Sequence, residues 1–215
     1  TELLPGLTVT HVDTPRLRTA TLVDAKTDGE TVIFVHGNVS SSVFWQESIL
    51  ALPEGFRGIA PDLRGFGESE TAPVDAIRGL GDFADDVFAL VDTLGLERVH
   101  LVGWSMGGGI IMRMLLDRPE SVASLRVVSH VSPYGFGGTK GATGESVTSD
   151  GAGAGGGSAN PDFVAALAAG DRGSDSPLSP RNVLNSMYFA NDFRSPLEDA
   201  FVDSMLTTKT GEDNY

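Results

Sequence analysis

No cysteine occurs among the 215 residues, which excludes disulfides, thiolate metal sites and a cysteine nucleophile together. Basic side chains are scarce. Fifteen Lys and Arg against 29 Asp and Glu give a formal net charge of −14 and a sequence pI near 4.5. A surface of that sign repels phosphate backbones and anionic lipid, so neither nucleic acid nor a membrane is an expected partner, and a small neutral or apolar substrate suits it better. Long apolar runs are missing too. The most apolar window, Val99 to Leu116, is interrupted by Ser105, by glycines and by Arg113, and it fits a buried strand and helix better than a membrane span. There is no His-x-His, no His-Glu-x-x-His and no carboxylate loop at calcium spacing, so no metal and no cofactor is expected. Neither glycine pattern that cradles phosphates stands at a strand-to-helix turn. The opening Thr1-Glu2-Leu3-Leu4-Pro5 carries no basic stretch followed by an apolar one; the compartment stays open, with the cytoplasm slightly favoured.

A chain of this length that is 40% hydrophobic has material for one sizeable core, and a single domain with an insertion is expected. Period-two alternation over Leu7 to Val12 and Arg18 to Val23 predicts an antiparallel pair near a sheet edge. Thr31 to Val35, Gly58 to Ala60 and Val99 to Val102 are apolar on both faces, the signature of central parallel strands. Between them, Phe83, Val87, Leu90, Val91 and Leu94 recur at helical spacing, as do Ile110, Met114 and Leu115. Strands separated by helices imply right-handed crossovers and an α/β fold with a mostly parallel sheet. Asp82, Asp85 and Asp86 are expected to form the solvated first turn of a helix, where negative charge is favourable.

Around residue 134 the composition changes. Gly135 to Ser158 is dominated by Gly, Ser, Thr and Ala, with a run of five glycines and two alanines over 151–157, and is expected to be a loop without a packed element. Three helices are predicted beyond it, near Pro161 to Ala169, Pro180 to Ala190 and Pro196 to Leu206, each with a proline near its start, where the missing amide donor costs little. The expected division is a core over residues 1–133 and a glycine-rich loop with a helical lid over 134–215, inserted after a sixth strand at Leu125 to Ser129.

The chemistry concentrates at Gly103-Trp104-Ser105-Met106-Gly107-Gly108. A Gly-x-Ser-x-Gly turn between a strand and a helix cramps its central residue and leaves the hydroxyl exposed at the sheet end, which makes Ser105 the candidate nucleophile. Two further segments stand in order before it, His36-Gly37-Asn38 after the third strand and Pro61-Asp62-Leu63-Arg64-Gly65-Phe66-Gly67 after the fourth. Together these resemble the α/β-hydrolase fold superfamily over residues 30 to 130. That resemblance implies that the backbone amides of Asn38 and Met106 form an oxyanion hole, two donors of about 3 kcal/mol each toward a charged acyl-transfer intermediate. It implies structural support from His36, Gly37 and a pair made by Asp62 and Arg64. Trp104, Phe44 and Trp45 are candidates to line the pocket. The His-Gly-Asn segment also resembles haloalkane dehalogenases, but those need an aspartate where Ser105 stands.

A serine needs a proton acceptor, and in this superfamily the acid and then the histidine follow the nucleophile. Of the four histidines, His11 and His100 fall in strands, His36 in the early loop, and Ser129-His130 after the sixth strand offers no carboxylate. The C-terminal strands of the fold are also missing from the sequence, so a second chain carrying the C-terminal part, the acid and the histidine is the expected partner. Two functions follow: a serine hydrolase cleaving a carboxylic ester or lactone, with amide, peptide or carbon-carbon bond cleavage sharing the same motifs, or a non-catalytic receptor for a small ligand.

Overall fold

Six strands form one sheet in the order β1-β2-β4-β3-β5-β6. The computed structural model describes residues 2–26, 28–131, 139–147, 149, 160–190 and 192–211. β1 (Leu7–Asp13) and β2 (Arg18–Asp24) are the antiparallel pair, β2 lies antiparallel to β4 (Phe56–Pro61), and β4, β3 (Glu30–Val35), β5 (Val99–Trp104) and β6 (Val122–Val128) run parallel to one another. β6 starts three residues ahead of the expected Leu125, because Val122 already pairs with Val99 and an irregularity in register after Val99 lets the ladder continue to Trp104 and Val128.

The two faces of the sheet follow from strand alternation. β3 sends Ile33 and Val35 into a layer built with Phe83, Val87, Phe88 and Val91 of α2 (Gly81–Thr93) and Ile110, Ile111 and Met114 of α3 (Met106–Asp117). Val32 and Phe34 go to the other face, against Leu22, Trp45, Ile49 and Ala60, where the short α1 (Gln46–Leu50) sits. Full burial of each large apolar side chain here contributes about 1.5–3 kcal/mol. Leu115, expected on the buried stripe of α3, is 38% exposed; Ile111 takes the inward position one turn earlier.

The acidic cluster departs from expectation. Asp82 and Asp86 are buried, at 7% and 5% exposure, because arginines from the β1–β2 turn and from two points of the long β4–α2 connection converge on them. Arg64 grips both oxygens of Asp86 at 2.6 and 2.8 Å, Arg16 reaches its Oδ1 at 2.6 Å, and Arg78 pairs with Asp82 and Asp85. The Asp82 carboxyl is held below the usual carboxylate range, first by the Asp75 N–H at 2.8 Å and then by the surrounding guanidinium groups.

Within the glycine-rich stretch, Thr139–Lys140 and Glu145–Ser146 pair as a two-residue antiparallel hairpin, β7 and β8, an element not anticipated there; the glycine-alanine run over 151–157 lies outside the described residues. Helix α4 (Pro161–Ala168) starts where Asn160 accepts from the Asp162 and Phe163 amides with Pro161 next, and α5 (Pro180–Val183) starts likewise on Ser179. The expected second helix does not stay α. From Leu184 to Tyr188 it widens into a π turn. α6 (Glu198–Leu206) follows, opened by Ser195 Oγ accepting from Leu197 and by acidic Glu198 and Asp199 in its first turn. These helices form their own apolar cluster, in which Phe163, Leu167, Leu184, Phe201 and Met205 pack with Val39 and Val43 of the segment after β3.

Candidate active site

Ser105 directly follows β5 and caps the N-terminus of α3, with φ 53° and ψ −119°. A non-glycine residue in that region is uncommon and costs of order 1–3 kcal/mol, so the surroundings must impose it. They do so by close approach. A Cβ placed on Gly107 would lie 2.2 Å from the Val35 carbonyl oxygen and 2.5 Å from that of His36, and one on Gly103 would lie 2.4 Å from the Gly107 oxygen. Only hydrogen fits at either place. The Ser105 N–H donates to Val128 O at 3.0 Å and its carbonyl accepts from Val131 at 3.3 Å, which ties the bend to the end of β6. Val39 (φ 46°) after β3 and Ser129 (φ 42°) after β6 are also left-handed. Three of the four such non-glycine residues among those described thus gather at the C-terminal ends of three neighbouring strands.

The loop after β3 meets the bend. A Cβ on Gly37 would stand 3.0 Å from Ser105 Cβ, so the segment containing Asn38 passes directly beside the serine. Met106 opens α3, where amide N–H groups have no intrahelical acceptor. Among the described residues, neither the Asn38 nor the Met106 N–H is engaged, and nothing hydrogen-bonds Ser105 Oγ. The bend thus sets a hydroxyl at a helix N-terminus, beside a loop, with a backbone N–H on each side that no described acceptor engages.

His36 is fully buried and holds the loop: its Nε2 accepts from the Leu63 N–H at 2.9 Å and its Nδ1 lies 2.7 Å from Gly37 O. An Nε2 that accepts an amide proton leaves the hydrogen on Nδ1, which donates to that carbonyl, so the ring is neutral. Burial lowers its pKa, opposed by the nearby Asp62 charge. Asp62 and Arg64 do not pair with each other. Asp62 accepts from the Ser42 and Glu68 amides at 2.8 and 2.9 Å, while Arg64 turns away to Asp86 and, through Nη1, to Pro73 O. Two residues apart after β4, they brace different loops.

The aromatic candidates separate. Phe44 stacks on Trp104 with centroids 5.7 Å apart and on Phe201 at 4.4 Å, and Tyr188 meets Trp104 edge-on at 5.2 Å. Trp45, expected beside Phe44 in the pocket, instead packs on Phe34 at 5.1 Å in the core layer, 9% exposed. Adjacent residues of the tight Ser42–Trp45 turn point to opposite sides. Tyr188 was not anticipated from sequence; its one signal was a phenol near the end of a predicted helix.

The remaining histidines are placed apart from Ser105 Oγ or engaged elsewhere. His11 lies in β1 near Glu68. His130 is exposed beside the start of α3, with Nδ1 at 2.5 Å from Val131 O. His100 joins Ser124 Oγ at 2.8 Å and Glu30 Oε2 at 2.7 Å, a serine-histidine-carboxylate string at the N-terminal ends of β3, β5 and β6. It has no tight glycine bend and no helix N-terminus, and it sits at the opposite end of the sheet from Ser105.

Residues 30–137 match the family described as alpha/beta hydrolase fold. The chain belongs to that family. Among curated α/β hydrolases it is 42% identical over 108 residues to the candidate carbamate hydrolase RutD of Variovorax paradoxus (strain S110), covering 50% of this chain and 40% of that one. It is 34% identical over 124 residues to carboxylesterase YbfK of Bacillus subtilis (strain 168), covering 58% and 42%. Among solved structures, the epoxide hydrolase VrEH1 from Vigna radiata superposes with a TM-score of 0.55 at 28% identity, covering 61% of this chain and 43% of that one. The chain therefore spans about two-fifths of the length of these relatives.

Proposed function

We propose that this chain carries the nucleophile and oxyanion-binding half of a serine hydrolase acting on a carboxylic ester or lactone. Ser105 Oγ attacks the carbonyl carbon, the Asn38 and Met106 amides hold the resulting oxyanion, the alcohol leaves with a proton, and water releases the acyl group from Ser105. The observation that carries this reading is the strained Ser105 backbone held against Gly37 with two unspent amides. A hydroxyl is the group such a bend presents here, and a serine supports acyl transfer. The chemistries named for the relatives, a carbamate, an ester and an epoxide, each present an electrophilic carbon.

The proton acceptor is proposed to lie on polypeptide beyond these 215 residues, because none of the four histidines bonds Ser105 and His36 is spent on the loop. The helices after residue 160 act as a lid, and Phe44, Trp104 and Tyr188 give the substrate an apolar flank. A fluorophosphonate probe applied to the full-length protein, with the labelled peptide mapped by mass spectrometry, tests this. Modification of Ser105, abolished in Ser105→Ala, is expected; labelling that persists in that variant would refute the assignment. The receptor reading draws support from the lack of a bonded base, and it is favoured if the probe fails while an apolar ligand still binds.

A further inference from the structure

The segment from Gly37 to Ser41 is pinned by hydrogen bonds, and three of the five described below come from the helices after residue 160. Because a peptide unit is planar, fixing a carbonyl fixes the direction of the next residue's N–H. Gly37 O, which shares its plane with the Asn38 N–H, receives the His36 Nδ1 hydrogen at 2.7 Å and the Ser40 hydroxyl at 2.8 Å. The next two carbonyls are held from the other side. Tyr188 Oη donates to Asn38 O at 3.1 Å and to Val39 O at 3.3 Å. Two residues further on, Ser41 Oγ and Ser204 Oγ of α6 share a hydrogen bond of 2.6 Å, with both residues buried.

Val39 makes this bracing necessary. A β-branched residue with φ of 46° is strained and reverts unless its neighbours prevent it. Tyr188 is delivered by the π turn, a widened helix geometry that recurs at functional sites. Its ring abuts Trp104, the residue immediately before the serine, and faces Phe44 at 6.0 Å. One side chain therefore touches both halves of the site, the ring on the strand that presents Ser105 and the hydroxyl on the loop that presents Asn38.

We infer that Tyr188, assisted by Ser204, is a positioning residue: it holds the Asn38 and Val39 carbonyls, and with them the strained turn directly after Asn38, while His36 and Ser40 aim the Asn38 N–H through Gly37 O, so that the helices beyond residue 160 complete the oxyanion site as well as covering it. This rests on the serine-hydrolase reading above. The Tyr188 hydroxyl, unlike its ring, acts through the loop and not on the substrate, so it matters only when negative charge develops on the acyl oxygen.

The test uses the full-length protein with a p-nitrophenyl ester and an aryl trifluoromethyl ketone, which forms a tetrahedral adduct with an active-site serine. In Tyr188→Phe, which keeps the ring stack, kcat is expected to fall on the order of 10²-fold while KM stays within about twofold, and the inhibition constant of the ketone rises in parallel with the loss in kcat. Ser204→Ala shows the same split at smaller amplitude and carries the test if Tyr188→Phe does not fold. A change in KM alone, or an unchanged ketone affinity in both variants, overturns the positioning role. Ester turnover that survives in Ser105→Ala overturns the hydrolase reading itself, and so does a wild type inert to ester, ketone and fluorophosphonate alike.

Discussion

Replacing Gly107 by alanine probes the contact on which the bend depends. The added methyl would sit 2.2 Å from Val35 O and 2.5 Å from His36 O, both main-chain atoms at the end of β3. Carbon and oxygen need about 3 Å or more, so the start of α3 must retreat by nearly 1 Å or the end of β3 must yield. Neither is a flexible side-chain tip. Overpacking of this kind costs about 1–3 kcal/mol where side chains can adjust and more where they cannot, so a loss of about 3 kcal/mol or above is expected. A displacement of that size also moves the Met106 amide and Ser105 relative to Gly37, and misplacement by about 1 Å costs on the order of 10²-fold in rate. Gly95→Ala is the control, since Gly95 has φ of 66° but nothing within 4 Å of its would-be Cβ. It pays backbone strain alone, about 1 kcal/mol. Denaturant melts of the full-length protein and the rate of fluorophosphonate labelling give both numbers. A Gly107→Ala protein as stable and as reactive as Gly95→Ala would show that the close approach does not constrain the bend.

Two other outcomes follow from buried charge and a buried imidazole. Arg64→Met removes a two-oxygen grip on Asp86 between groups that are each 5% exposed, leaving that carboxylate to Arg16 alone, and should cost about 3 kcal/mol in denaturant melts; Arg113→Ala, which breaks the exposed pair with Asp117, should stay within about 0.5 kcal/mol, and equal costs would contradict the network described. His36 has its pKa lowered in the folded state by burial. Above its ordinary value of 6.5 the ring is neutral folded or unfolded. Below it the unfolded chain binds a proton that the folded one resists, so its contribution to stability is lost as pH falls, at up to about 1.4 kcal/mol per pH unit. The stability gap between wild type and His36→Gln should therefore narrow between pH 7 and pH 5.5, and a constant gap would mean the folded ring already titrates normally.

What the sequence revealed and what it hid divide along contact range. The apolar run over residues 31–35 and the glycines around Ser105 are local patterns, so the sheet and the bend were legible in the sequence, whereas the placing of the His36–Asn38 loop rested on the resemblance. Asp82 and Asp86 were read as solvated because their arginines come from positions 16, 64 and 78, two of them distant in the chain. Asp62 and Arg64 were paired on the resemblance alone, whereas each found an amide or a carboxylate elsewhere. Phe44 and Trp45 could not be sorted by composition, since a tight turn decides which ring faces inward. Tyr188 lies 150 residues from the carbonyl it holds, and a phenol in a helix carries no mark of such a contact.

The hydrogen-bonded trio of Glu30, His100 and Ser124 has a consequence for how such enzymes are recognised from shape. It joins the residue types of a hydrolytic triad at hydrogen-bond distance, as nothing around Ser105 does among the described residues, yet with the ring nitrogens exchanged, the serine on Nδ1 and the carboxylate on Nε2. A search keyed to residue types and contact distances alone would choose that end of the sheet over the one that holds Ser105. What separates the two serines is main-chain architecture: a backbone twisted out of its ordinary range, and amide hydrogens left pointing at nothing.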